Sequence, residues 1–242
     1  MLGAFRLIVC GTIGICLPPA GAQDVPDLAG FWAEPSQQEP SGQAPIDELP
    51  EGTVLLDDAG AGDPGRGESG GINLTERALE EIRTYDPADE LLVENTCKAP
   101  SVIFAMQAPF PMEIHQGRDL IVMQLEFYDL FRTIFLDGRD HPPADAPHTK
   151  AGHSVGHWEG DTLVVETTHI ASATLMNNGF NHSDDLRMVE RFRLSEDEST
   201  LWLTQLYEDP AVFEGRVARH IARTRVPGEY TYPYDCDPSY GR

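Results

Sequence analysis

Basic residues are scarce in this chain of 242 residues, and their scarcity limits its partners. Lysine and arginine number 17 against 40 aspartate and glutamate residues, giving a formal net charge of −23 at pH 7. A surface this acidic repels phosphates, so we predict no nucleic-acid partner and no binding to anionic membranes. Hydrophobic residues make up 40% and charged residues 24%, which is ordinary globular usage and excludes wholesale disorder and fibrous structure.

The N-terminal apolar run of the sequence is too short to cross a membrane. The apolar run at residues 7–17 is much shorter than the about 20 residues that a spanning helix needs. Arg6 precedes this run, and residues 20–22 (AGA) follow it as a small-x-small cleavage signal. We therefore predict that residues 1–22 are a signal peptide, and that residues 23–242 form a single periplasmic or secreted domain with no membrane partner.

Cysteine is rare, and its positions match an exported protein. Of the four cysteines, cleavage would remove Cys10 and Cys16 and leave Cys97 and Cys236. An even pair in an oxidising compartment favours a disulfide, which would stabilise the fold by up to about 5 kcal/mol. A free nucleophilic thiol at either position is the alternative.

The common phosphate, redox and nucleotide motifs are missing. The sequence has no Gly-rich phosphate loop, no dinucleotide fingerprint and no CxxC pair. Residues 152–156 (GHSVG) resemble the GxSxG elbow of hydrolases, but they precede a predicted hairpin and not a helix. No cofactor is predicted from these patterns.

The hydrophobic pattern predicts an all-β fold. Residues 27–34 indicate a first strand, residues 35–71 a long Pro/Gly/acidic loop, either a lid or disordered, and residues 75–85 a short helix with Thr75 as N-cap. Eight further strands follow with period two, at 110–116, 119–127, 130–136, 153–158, 161–169, 187–194, 200–207 and 215–225. Strands this short and closely spaced favour an antiparallel β-barrel, lipocalin- or calycin-like, with the one helix near its N-terminus. Glu159 and Gly160 are the predicted turn of one hairpin.

Charged residues interrupt the apolar faces of three predicted strands. Arg132, Glu190 and Asp161 each share a face with aliphatic or aromatic neighbours two residues away. A charge on an apolar face is costly unless it is paired. Arg132 and Glu190 therefore either pair inside the barrel or face a polar ligand, unless their faces are misjudged and they point outward. Four arginines of the last strand are expected to face outward: Arg216, Arg219, Arg223 and Arg225.

Histidines cluster before and within the middle strands. Four lie within residues 141–157, and His182 follows in the sequence NHSD. Imidazole is suited to acid/base chemistry near neutral pH and to metal binding. A transition metal or haem held by His141, His153 and His182 is one alternative, and a set of surface histidines is another. His153 and His157 share one face of a strand about 13 Å apart, so the two cannot bind one ion together.

Three segments resemble a known group of proteins. FRTIFLDGRDHP begins at residue 131, GHSVGHWEGDTLVVETT at 152 and NNGFNHSDDLRMVERF at 177. They are similar to the motifs of a group of exported, mostly uncharacterised bacterial proteins with the pattern FRxIxxDGRxHP … GxSxGxWEGDTLVVxT … HSxxLxxxERF. The resemblance covers about residues 97–236 and implies a lipocalin-like barrel. It places Arg132, His141, His182 and Glu190 among the motif positions, whereas His157 and Asn181 depart from the pattern.

These patterns predict a small-molecule pocket inside the barrel for an apolar or aromatic ligand. Tyr128, Phe131, Ser154 and Asp161 are the predicted substrate-binding residues. The favoured hypothesis is a cofactor-independent lyase, isomerase or hydrolase. His182 would be its acid or base, Glu190 would orient His182, Arg132 would hold an anionic group, and His141 would be a second acid or base. A non-catalytic binding protein and a metal- or haem-dependent enzyme are the alternatives, and the oligomeric state is left open.

Overall fold

A computed structural model describes residues 25–35, 49–56, 67–92, 97–176 and 178–237, together with residues 40, 42, 65 and 95. The predicted signal peptide and much of the 35–71 segment lie outside these residues. None of the helices in the described part of the chain is long and apolar enough to cross a membrane.

The N-terminal third contributes one barrel strand, two short strands and the predicted helix. These are β1 (Gly30–Ala33), β2 (Thr53–Leu56), β3 (Asn73–Leu74) and α1 (Glu76–Thr84), followed by a 3-10 turn at Pro87–Leu91. The Thr75 side chain accepts a hydrogen bond from the Ala78 amide, as its predicted N-cap role requires. The loop prediction was wrong at β2, because a run of four residues is too short to show a period.

The remainder is built mainly of strands. In order, they are α2 (Val102–Gln107), β4 (Met112–Gln116), β5 (Leu120–Leu125), a 3-10 turn (Phe127–Asp129), β6 (Leu130–Phe135), β7 (His153–Glu159), β8 (Thr162–Thr168), β9 (Ala173–Met176), β10 (Phe180–His182), β11 (Arg187–Leu194), β12 (Thr200–Glu208), β13 (Phe213–Glu214) and β14 (Arg216–Arg225). All eight strands predicted after residue 101 are present. The short strands β3, β9, β10 and β13 and the helix α2 were not predicted.

Nine strands close into a barrel in the order β1-β4-β5-β6-β7-β8-β11-β12-β14, and the all-β barrel prediction is confirmed. The ring closes where Trp32 of β1 pairs with Arg225 of β14. Every neighbouring pair in the ring is antiparallel except β6 and β7, which run parallel through Ile134 and Ser154. Strand β2 adds to β14 in parallel outside the ring.

The predicted alternation divides the strands into an inner and an outer face, with one correction. Met188, Glu190 and Phe192 of β11 are fully buried, whereas residues between them are partly exposed. Gly160 and Asp161 form the turn between β7 and β8, one residue later than predicted. Asp161 is therefore exposed, and its predicted place on an apolar face was wrong.

The unpredicted helix α2 packs against the interior of the barrel. Val102, Ile103, Ala105 and Met106 are all buried, whereas the polar Gln107 at the end of the helix is half-buried. The guanidinium of Arg223 donates to the carbonyls of Met106 at 2.8 Å and Ala108 at 3.0 Å. The expected outward face of the last strand was thus wrong for two of its arginines, since Arg219 and Arg223 are buried.

A disulfide joins Cys97 to Cys236, with 5.8 Å between their Cα atoms. The bond ties the C-terminal tail to the segment just before α2. The disulfide prediction is confirmed, and the free-thiol alternative is wrong.

Candidate functional site

Arg132 and Glu190 face each other inside the barrel, from strands β6 and β11. Both side chains are fully buried, and the guanidinium donates directly to the Glu190 carboxylate. The same guanidinium donates to the hydroxyls of Ser154 at 3.1 Å and Thr167 at 2.8 Å. The sequence left two inward arrangements open, an internal ion pair or a contact with a polar ligand. The structure contains the ion pair.

The ion pair continues into a longer polar network. Gln205 donates to the second oxygen of Glu190 at 2.9 Å, and the Tyr207 hydroxyl donates to Gln205. Gln107, at the end of α2, donates to the Tyr207 hydroxyl at 2.8 Å. Most donors and acceptors of the network are therefore satisfied by protein groups, although Arg132 Nη1 has no hydrogen-bond partner among the described residues.

His182 lies outside this network. It is 1% exposed, and its Nδ1 is 2.9 Å from the Ser183 carbonyl, an oxygen that can only accept. Nδ1 therefore carries the proton, and Nε2 accepts from the Ser101 hydroxyl at 2.8 Å. Burial lowers the pKa of His182 below the usual imidazole range, which keeps the ring neutral near pH 7. No hydrogen bond or ion pair joins His182 to Arg132 or Glu190 within the described residues.

His141 and His153 meet at the outer side of the barrel. Their Nδ1 atoms are 3.2 Å apart, and the Thr168 hydroxyl lies 3.0 Å from Nδ1 of His141. Burial lowers the pKa of both imidazoles. His182 is not part of this pair, because Ser101 and Ser183 engage both of its ring nitrogens. Among the described residues, no group of three or more His, Cys, Asp or Glu side chains is arranged to hold a metal ion.

The two predicted aromatic site residues lie in different environments. Phe131 is 56% exposed on the outer face of β6. Tyr128 adopts a positive φ of 58° in the turn before β6, and its ring stacks on Tyr234 at 4.7 Å between centroids. Among the predicted substrate-binding residues, Tyr128 lines a large cavity.

That cavity, here named the end pocket, has a volume of about 450 Å³. It lies at the end of the barrel where β6, β7 and β11 begin, between the segment before α2 and the β9–β10 hairpin. Its wall combines two tyrosines, two lysines and several polar side chains, among them Tyr85, Tyr128, Lys98, Lys150, Asn95 and Asn181. A neighbouring cavity of about 340 Å³ shares Ser172 and Asn181 with it and is lined in part by His182.

The sequence predictions missed most of the end pocket. Lys98 and Lys150 are the two lysines of the chain, and this rarity was the signal that could have drawn attention to them. Their 52-residue separation hid the fact that they line one cavity. Of the predicted catalytic and binding residues, the structure brings Arg132, Glu190 and Ser154 together in the inner network. The other five lie in separate places: His182, His141, Tyr128, Phe131 and Asp161.

Comparison with models of known protein families, with curated proteins and with solved structures found no match for this chain. The resemblance to the exported bacterial group therefore stays a prediction.

Proposed function

We propose that this protein is an exported β-barrel that binds a small molecule in the end pocket and does not turn it over. The lining of the pocket carries the proposal, because two tyrosines and both lysines of the chain surround it. Its volume of about 450 Å³ is within the roughly 300–1,000 Å³ that sites for small molecules occupy. Export is supported by the N-terminal sequence and by the Cys97–Cys236 disulfide, which is typical of oxidising compartments.

The walls of the pocket are held in place before a ligand arrives. Gly179 has φ +87°, and a Cβ atom at this position would lie 2.4 Å from Cβ and Cγ of Tyr85. Tyr85 thus packs against bare backbone, while Tyr128 is stacked on Tyr234. Walls that are already ordered lose little conformational entropy on binding, which favours affinity.

Binding fits the polar residues better than acid/base catalysis does. The ring nitrogens of His182 are both engaged, and the charge of Glu190 is balanced by Arg132 in a fully buried pair. Neither Arg132 nor Glu190 lines the end pocket or the cavity beside it. The interior pocket predicted from the sequence would have to open among these packed side chains, whereas the end pocket needs no such change.

The test is native mass spectrometry of protein exported from a bacterial host by its own N-terminal segment. We expect a bound small molecule in the wild type and its loss in Gly179→Ala, whose new methyl group displaces Tyr85. Gly228→Ala is the matched control, because Gly228 has φ +85° but nothing within 4 Å of its added Cβ. No bound molecule and no stabilising compound in a thermal-shift library would sink the proposal, as would equal retention by both variants.

A further inference from the structure

Both lysines of the chain line the end pocket. Arginine supplies every other permanently basic side chain, and the chain carries 40 acidic residues. Lys98 and Lys150 come from different loops, one beside the disulfide and one just before β7. The fold therefore gathers into one cavity a residue type that the rest of the molecule does not use.

Each lysine backbone is fixed by contacts of its own. The Lys98 amide donates to the Asn95 carbonyl at 3.0 Å, and the neighbouring Cys97 is tied to Cys236. The Lys150 carbonyl accepts from the Val102 amide at the start of α2, at 2.7 Å. The backbones of both lysines are thus anchored beside the pocket that the two residues line.

Neither ammonium group has a carboxylate partner within ion-pair distance among the described residues. Lys150 Nζ donates to the Ser172 carbonyl at 2.8 Å, which leaves further N–H donors available. Burial lowers the pKa of Lys150, the positive charge of Lys98 lowers it further, and Asp184 opposes both effects. Asp89 is the acidic residue in the pocket wall. Among the described residues, the wall therefore carries two cations, Lys98 and Lys150, and one carboxylate, Asp89, on a protein that is otherwise strongly acidic.

We propose that the ligand of the end pocket is a small organic anion whose carboxylate or phosphate group lies between Lys98 and Lys150. This inference rests on the proposed binding function and adds the chemical class of the ligand. An ammonium group is a compact point charge on a flexible stem, so two of them can converge on one anionic group. A local positive site also concentrates anions that the surrounding acidic surface repels. Asn95, Asn181 and Asp89 are left to bind the neutral and hydrogen-donating parts of the ligand.

Because the chain has two lysines, NMR of labelled lysine side chains can measure ligand binding at the end pocket directly. Protein grown with lysine labelled with ¹³C at Cε has two labelled side chains, so its NMR spectrum reports on this pocket alone. The titrants are benzoate, citrate and inorganic phosphate, with benzamide as the neutral counterpart of benzoate. We expect both lysine signals to shift to saturation with at least one anion and not with benzamide. Saturation by benzoate or citrate alone identifies a carboxylate ligand, and saturation by phosphate alone a phosphate.

Two charge-removing variants complete the test. Lys98→Gln is expected to weaken the anion affinity measured at Lys150 at least tenfold. Arg118→Gln removes an exposed positive charge from the turn between β4 and β5, at the other end of the barrel, and should leave the affinity unchanged. The inference is overturned if none of the three anions shifts either signal saturably, if benzamide matches benzoate, or if both variants weaken binding equally. A neutral molecule that co-purifies and is lost in Gly179→Ala would overturn the anion class while upholding the binding function.

Discussion

At the scale of single residues, the Arg132–Glu190 pair places two opposite charges where water has no access. Removing one partner of such a pair leaves an uncompensated buried charge, whereas removing both leaves an apolar gap. We therefore expect the net stabilisation by the pair to be small compared with the loss on removing one partner, since desolvation offsets much of the attraction.

A double-mutant cycle measures this coupling. We expect Arg132→Met to lower the free energy of unfolding by about 3–5 kcal/mol, and Glu190→Leu by a similar amount. The double variant should lose much less than the sum of the two losses, because neither charge is then stranded. Urea unfolding at pH 7 gives all three values. If the losses simply add, the two side chains do not act as a pair.

The buried histidines make stability depend on pH. Burial lowers the pKa of His182, His141 and His153 in the folded state. In the unfolded chain an imidazole has a pKa of about 6.5, so as the pH falls below this value the unfolded chain takes up protons before the folded protein does. Their contribution is complete above that pH and is lost as the pH falls through the window below it. Carboxylates with a lowered pKa make stability depend on pH in a more acidic range. The hydrogen bond from the Arg139 side chain, for example, lowers the pKa of Asp137 to about 2.

His182→Asn tests the most buried of the three. The Asn amide can still donate to the Ser183 carbonyl, but it has no imidazole to protonate. The free energy of unfolding should fall less steeply between about pH 7 and pH 5 than in the wild type, by up to about 1.4 kcal/mol per pH unit. Urea unfolding over this range gives both slopes. Equal slopes would mean that His182 titrates alike in the folded and unfolded states.

At the scale of secondary structure, α2 shows why some elements escape prediction. Its six residues are too few to show a helical period, and four of them are apolar and buried. Strands such as β5 and β11 were predictable because one face of each packs inward and the other is more exposed. Short β9 and β10, in contrast, pair with each other and have too few residues to alternate.

Helix α2 is held by a strand that is far away in sequence, which gives an element-scale prediction. Arg223→Met would leave the Met106 and Ala108 carbonyls without their donor, and should cost about 2–4 kcal/mol of unfolding free energy. Arg216→Met is the matched control on the same strand, because Arg216 forms an exposed ion pair with Glu208. Its cost should stay below about 1 kcal/mol in the same urea titration. Equal losses would contradict a special role for the α2 contacts.

At the scale of the whole molecule, the disulfide links the segment before α2 to the C-terminal tail that follows the last barrel strand. The Cys97–Cys236 bond joins residues 139 apart, and Tyr234 beside it packs on Tyr128 in the wall of the end pocket. The bond thus constrains the unfolded chain and also anchors the tail against the pocket.

Loss of this bond should be costly. We expect the double variant Cys97→Ser/Cys236→Ser to lose about 2–5 kcal/mol of unfolding free energy relative to the oxidised wild type. Adding a reductant to the wild type should reproduce the loss and leave the double variant unchanged, and thermal or urea unfolding measures both. A reductant effect of the same size on the double variant would mean that the loss has another cause.

The sequence by itself determined the properties that depend on local pattern. Alternation along each strand identified the barrel and picked out Arg132 and Glu190, because a charge on an apolar face is visible within a few residues. Only the tertiary structure decided which groups meet across long separations. It paired Arg132 with Glu190, separated His182 from both, buried Arg219 and Arg223, and brought Lys98 and Lys150 to one cavity. The physical reason is that barrel closure and loop packing set these contacts, and neither leaves a periodic trace in the chain.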